Sequence, residues 1–436
     1  MDDIFRVVHW WDVQGLAEYE GELCEATLAD LTIKVGSACL TRNALLDNGE
    51  WYARESVRLC LHPLAHWLAW NFYRLLYEPL PETQGRALPL EWLMAHDMAY
   101  VGDGFLWPPV RIYSDGARMT LRPNIAQVPS LDPVQYTSTV PVILPVQAVE
   151  DQILRFLETC DIRLRGQGMK DSPFQVVYGE LKEELKDVDV RLWRQSEAML
   201  GFDPDDAPEK FQEAFYSLIG YLGRGNTAEL AANGESTFIP AEGIQRRIRE
   251  AGTERHPQDV GISVGPDPTV PAWVKGMEAA RTLRQDLAIH GEISDERLAE
   301  IYGVPAYTLQ GEVARSEDIR LTAYSAEDSR IVLGAGRRRE SRRFAIARLL
   351  GDEILREAEP QFRLVTRSKT YRQKFQRAFA AELLCPREEV LDRLSRSDGD
   401  EDVIEDVAEQ FGVSDWVVRH ALENDTRLDP LDKTAA

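Results

Sequence analysis

The sequence predicts an α+β protein, mostly α, with an N-terminal α+β domain, a helical middle and a C-terminal α-rich domain. Three observations lead there. Strand-like alternation and a strong turn pair fall within the first 124 residues. Stretches with apolar residues at i, i+3 and i+4 dominate the rest. Two segments, 124–146 with four prolines and 256–271 rich in proline and glycine, read as joints, which gives bodies at 1–124, 147–255 and 272–424.

In chain order, "TLADLTIKVG" and "SACLTRN" alternate as strands do. "LHPLAHWLAWNFYRLLYEP" is an apolar helix ending before Pro79, and "LPLEWLMAHDMAYVGDG" a second helix stopped by glycines. "VRIYSDGARMTLR" reads as a hairpin with Asp115-Gly116 at the turn, a pair that tolerates positive φ. The segment 124–146 carries four prolines and no helical period, so it reads as a linker. "VQAVEDQILRFLETCDIRLRG", "FQVVYGELKEELKDVDVRLWRQSEAMLG" and "APEKFQEAFYSLIGYLG" are helices. From Ala272 the pattern stays helical, apart from a hairpin candidate in "IRLTAYSAEDSRIVLG".

Composition limits the function. With 436 residues, 44% hydrophobic content and ten tryptophans, the chain can bury sizeable cores, which argues against bulk disorder. No apolar run reaches the 18 or so residues that span a bilayer, and "MDDIFRVV" is acidic where a signal peptide is basic. The expected setting is the cytoplasm, without membrane. Cys24, Cys39, Cys60, Cys160 and Cys385 are scattered, odd in number and without a C-x-x-C, so free thiols are expected and a cysteine zinc site is not. A net charge of −23 repels nucleic acid at long range, and DNA contact would need a local basic patch.

The chemistry concentrates near the C-terminus. "RRFAIARLLGDEIL" scans as a helix with the outline of H-E-x-x-H, apolar flanks intact and ligands gone, and "QKFQRAFAAELLCP" follows it. Together with "WVKGMEAARTLRQDL", "ISDERLAEIYGVPAYTL" and "EDVAEQFGVSDWVVRHAL", these stretches make 272–424 resemble the ImmA/IrrE family of zinc metallopeptidases, with "FAAELLCP" the most specific match. The resemblance implies a small α-rich peptidase-like domain. It also implies a setting of stress response or mobile-element control, where such enzymes typically cut a repressor.

On that frame the first histidine position is Arg348, the glutamate position Leu349, the second histidine position Asp352 and the third ligand position Gln373. A zinc helix needs lone pairs at i and i+4 and a carboxylate base beside the first ligand. A guanidinium stays protonated and has no lone pair to donate. Leucine takes no proton from water. The resemblance thus implies the fold and, at these positions, a degenerate site: no catalytic residue, no metal and no cofactor.

The same region is rich in arginine. Arg337, Arg338, Arg339, Arg342, Arg343, Arg372 and Arg377 are candidates for binding an anion or nucleic acid, or else for internal ion pairs with Glu340, Asp352 and Glu353. Two helix-turn-helix outlines are present. One has Ala408, Gly412 and Val418; the other has Ala299, Gly303 and Leu309. Neither second helix is convincingly basic. In the first half, His62 and His66 stand at i and i+4, but Pro63 sits where a glutamate would follow, and core histidines are the plainer reading. His96-Asp97 is a further ligand candidate.

The expectation is a pseudoenzyme: a non-catalytic regulatory protein in stress response or phage defence, binding a protein partner or, through the basic patch, nucleic acid. The alternatives are a DNA-binding regulator using a helix-turn-helix and a zinc metallopeptidase with rearranged ligands, for which His62 and His66 are the candidates. Oligomeric state is not legible.

Overall fold

The computed structural model describes residues 4–11, 22–83, 85–125, 132–310, 321–334, 338–355, 361–394 and 401–426. The chain divides into two compact units, Met1–Asp206 and Ala207–Ala436. Strands lie mainly in the first, and helices dominate the middle and the C-terminal part.

In the first unit, Leu28–Val35 is the hub of an antiparallel sheet, pairing with Phe5–Trp10, with Val57–Cys60 and with Ala38–Cys39. The hairpin expected at Asp115-Gly116 forms between Val110–Ser114 and Arg118–Pro123, and Gly116 has the positive φ that such a turn needs. The segment read as a linker is partly strand instead. Val134–Tyr136 pairs with Asn43–Asp47, and Val142–Pro145 adds an edge to the hairpin. Prolines are tolerated there because an edge strand has one unpaired side.

Leu61–Trp70 and Phe72–Tyr77 bury Leu64, Leu68, Leu75 and Leu76 in this unit's core. The expected single helix is interrupted at Asn71, whose Nδ2 donates to the Trp67 carbonyl at 2.9 Å. An asparagine side chain competes with the backbone for such acceptors and so marks the break. The second helix stops at His96, ahead of the glycines, because the Asp97 carboxylate accepts from Ala99 N (3.2 Å) and starts a short 3₁₀ turn.

Cys24 and Cys60 form a disulfide with Cα atoms 5.1 Å apart, while Cys39, Cys160 and Cys385 are free and buried. The expectation of five free thiols is corrected here. The sheet and the short helix Glu22–Thr27 bring together two residues 36 positions apart, which spacing alone does not reveal.

The second unit has a four-stranded antiparallel sheet, ordered Thr253–Glu254, Arg330–Val332, Thr322–Ser325, Phe362–Val365. Its middle pair is the hairpin expected from the sequence. Three helices form the core beside it: Ala272–Asp286, Arg339–Ile354 and Tyr371–Leu384. Close approach explains two glycines. A Cβ on Gly276 would lie 2.5 Å from the Phe375 carbonyl oxygen, and one on Gly351 would lie 2.9 Å from Phe379 Cδ1.

Candidate functional site: a buried polar network in a peptidase-like helix pair

Arg348 and Asp352 stand one turn apart on the helix Arg339–Ile354, so both side chains leave from one face. Leu349, on the next position round, is fully buried in the core. The partner helix Tyr371–Leu384 begins with Thr370, whose hydroxyl accepts from Gln373 N at 3.2 Å. That cap sets the first turn, which carries Arg372, Gln373 and, a turn on, Gln376.

The structure brings Arg348, Leu349, Asp352 and Gln373, the four positions singled out in the sequence, into one region. Arg348 Nη2 donates to Gln373 Oε1 at 2.6 Å, to the Thr366 carbonyl at 2.8 Å and to Gln376 Oε1 at 3.4 Å. Asp352 is held at two points by Arg372, with Nε–Oδ1 and Nη2–Oδ2 both 2.6 Å. It also accepts from Gln376 Nε2 (2.7 Å) and Leu364 N (3.2 Å). Arg372 Nη1 reaches Asn226 Oδ1 at 3.0 Å. Glu229 accepts from the hydroxyls of Thr370 (3.0 Å) and Ser368 (3.4 Å).

Burial governs the electrostatics. It pushes the Arg348 guanidinium well below its ordinary range; Arg377 adds to this, while Asp352 and Glu229 oppose it. It pushes the Glu229 carboxyl up against the pull of Arg372. Both effects come from removing charge from water.

The zinc ion implied by the fold does not fit these residues. Arg348 offers only donors, Leu349 offers nothing, and both Asp352 oxygens already accept hydrogen bonds. Among the described residues no group of three or more His, Cys, Asp or Glu is placed to hold a metal ion.

The other arginines of the region have varied settings. Arg337 lies outside the described residues, and Arg338 is exposed. Arg339 and Arg343 both pair with Asp295; Arg339 Nε is 2.7 Å from Oδ2. Burial acts to raise the Asp295 carboxyl, but hydrogen bonds from these two arginines outweigh it and hold the group low. Arg343 also donates to the Ile293, Phe411 and Gly412 carbonyls, so it ties the turn of the outline at Gly412, and the segment leading into the other outline's first helix, to the core helix. Arg342 Nε donates to the Leu309 carbonyl (3.0 Å), and Arg377 Nη2 to the Arg367 and Ser368 carbonyls (2.9 and 2.5 Å).

Gln376, Asn226, Glu229 and Thr366 escaped sequence reasoning. The one available signal was Asn226 and Glu229, two polar residues one helical turn apart in the otherwise bland "GNTAELAAN".

Two cavities adjoin the network. One, of roughly 300 Å³, is lined by Arg348, Arg367 and several hydroxyls. The other, of roughly 160 Å³, is mainly apolar and shares Phe344, Trp416 and Val417 with it.

In the first unit, His62 and His66 have parallel rings with centroids 6.5 Å apart and line a cavity with Asp103. His96 does not add to them as a free ligand. Its Nδ1 meets the Ile112 carbonyl (2.7 Å), and its Nε2 meets Glu78 Oε2 (2.9 Å), which also binds Arg74.

A helix presenting two ligand positions one turn apart, followed by a strand and a helix presenting a third, is the layout of a metallopeptidase domain. Residues 299–423 match the family model for the IrrE N-terminal-like domain, Peptidase_M78, and this part of the chain is an ImmA/IrrE-like domain. No curated protein and no solved structure matches the chain.

Proposed function

We propose that the ImmA/IrrE-like domain is a pseudoenzyme and that the protein works by binding, as a regulator acting through a protein partner. One observation carries this reading. A buried guanidinium occupies the first ligand position and is hydrogen-bonded to the residue at the third, Gln373. A cation there would repel a metal ion and supplies no lone pair. The proposed setting, stress response or defence against mobile elements, rests on analogy with the family. The arginines engaged inside the domain favour a protein partner over nucleic acid.

A cytoplasmic location belongs to the same proposal. Among the described residues no helix is long and apolar enough to cross a membrane. The Cys24–Cys60 pair removes one support for a reducing compartment.

The test is metal analysis of the purified chain, together with a protease assay on candidate repressors with and without chelator. Substoichiometric zinc and no chelator-sensitive cleavage are expected. Stoichiometric zinc, lost on His62→Ala, would instead support a metallopeptidase with rearranged ligands.

A further inference from the structure

We infer that the cavity at Arg348 is a carboxylate-binding site, taking the C-terminal carboxylate of a peptide whose last side chain is apolar. This rests on the reading of the domain as a binding module and names what it binds.

The first argument is an unbalanced charge. Arg348 is 8% exposed, and its hydrogen bonds all leave Nη2 for neutral oxygens: one backbone carbonyl and two side-chain amides. Its Nε has no partner. The nearby carboxylate, Asp352, is already engaged at two points by Arg372. A guanidinium withdrawn from water without an anion hydrogen-bonded to it is costly, and a bound carboxylate would offset that cost.

The second argument is the lining. Arg348 and Arg367 both face the roughly 300 Å³ cavity, with Ser341, Thr366 and Ser414 adding hydroxyls. Glu340 is the single acidic residue in the lining, so the two guanidiniums leave the cavity net positive. Two guanidiniums and hydroxyl donors suit a planar carboxylate.

The third argument selects the source of that carboxylate. The adjoining cavity is mainly apolar, contacted by Trp273, Met277, Ala378 and Ala381 beside the charged Lys374, Arg377, Glu382 and Arg387, and it joins the first across Phe344 and Trp416. Inorganic phosphate has nothing to place there. A peptide end with an apolar last residue fills both: its carboxylate meets Arg348 and its side chain meets Trp273 and Met277. Trp416, 60% exposed, stands at the junction where such a ligand would cover it.

The experiment is calorimetric titration of the full chain with acetyl-Ala-Leu as the free acid, with its carboxamide and with inorganic phosphate. The free acid should bind, the carboxamide roughly tenfold more weakly or worse, as expected for loss of a charge-assisted contact. Phosphate should not compete. Arg348→Met should abolish binding. Because a core change can disturb folding, the exposed Arg367→Ala provides a second variant, expected to weaken the acid severalfold and leave the carboxamide unchanged.

Equal binding of acid and carboxamide, binding of neither, or phosphate competing better than the acid would each overturn the proposal. Zinc measured on the same sample separates the two readings. A zinc-free chain that ignores the acid sinks only this inference; a zinc-loaded chain sinks the non-catalytic reading beneath it.

Discussion

Arg348 and Arg372 are both buried guanidiniums within one turn of Gln373 or Asp352, yet their environments predict losses of different size on mutation. Arg372 completes a two-point pair with Asp352, and both are almost wholly inaccessible. Removing one partner strands a charge, so Asp352→Ala should cost about 3–5 kcal/mol. Arg348 has no such partner, and Arg348→Met should cost less, about 1–3 kcal/mol, from the buried oxygens of Thr366, Gln373 and Gln376 that lose their donor. Urea unfolding of both variants checks this, and a loss from Arg348→Met larger than that from Asp352→Ala would contradict it.

His62 and His66 make a pH prediction in the first unit. Burial lowers both imidazoles below the ordinary 6.5; for His62 the charge of His66 adds to this, while Asp103 opposes it for both. A histidine depressed in the folded state contributes stability that is whole above pH 6.5 and is lost as pH falls through the folded value. Stability should therefore decline below pH 6.5, and His62→Gln should flatten the decline. An unchanged slope in thermal melts across that range would rule this out.

At the scale of elements, the peptidase-like domain depends on how closely three helices approach. Gly276 on Ala272–Asp286 lets the backbone of Tyr371–Leu384 come within contact, and any side chain there meets main-chain atoms that cannot rotate away. Gly276→Ala should destabilise by about 1–3 kcal/mol through overpacking. Gly220, on Glu209–Leu222, has open space where a Cβ would go. Gly220→Ala in the same unit should gain about 0.5–1 kcal/mol. The pair separates packing from intrinsic helix propensity. Both changes remove a flexible residue from a helix, and only one meets a wall. A loss from both would mean that space is not the deciding factor.

For the whole molecule, charge is the long-range property that counts. A chain of net charge −23 repels a polyanion, and several arginines that would oppose this field are tied to acceptors inside the C-terminal domain. Fluorescence anisotropy with duplex DNA at low salt should therefore show no appreciable binding. A steep, salt-dependent isotherm would restore the helix-turn-helix alternative, since each neutralised phosphate releases counterions. The disulfide acts at this scale too, because it closes a 36-residue span of the first unit. A cross-link of that length restricts the unfolded chain, by about 3–4 kcal/mol in the loop-entropy account.

Much of the fold is written in periodicity and local chemistry. The Asp115-Gly116 turn, the 322–332 hairpin and the helices from Val146 onward follow from short-range pattern, because turns and amphipathic faces are set by neighbours a few residues away. The mismatch with zinc was equally legible, since a guanidinium and a leucine lack the lone pairs and basicity in any setting. The sequence could not show which arginine meets which acid. Arg372–Asp352 lies 20 residues apart, Arg343–Asp295 lies 48 apart, and the Cys24–Cys60 bond spans 36. Those pairings, and Arg348's lack of one, were decided only when packing brought distant segments together, because Coulomb energy and hydrogen bonding depend on distance through space and not along the chain.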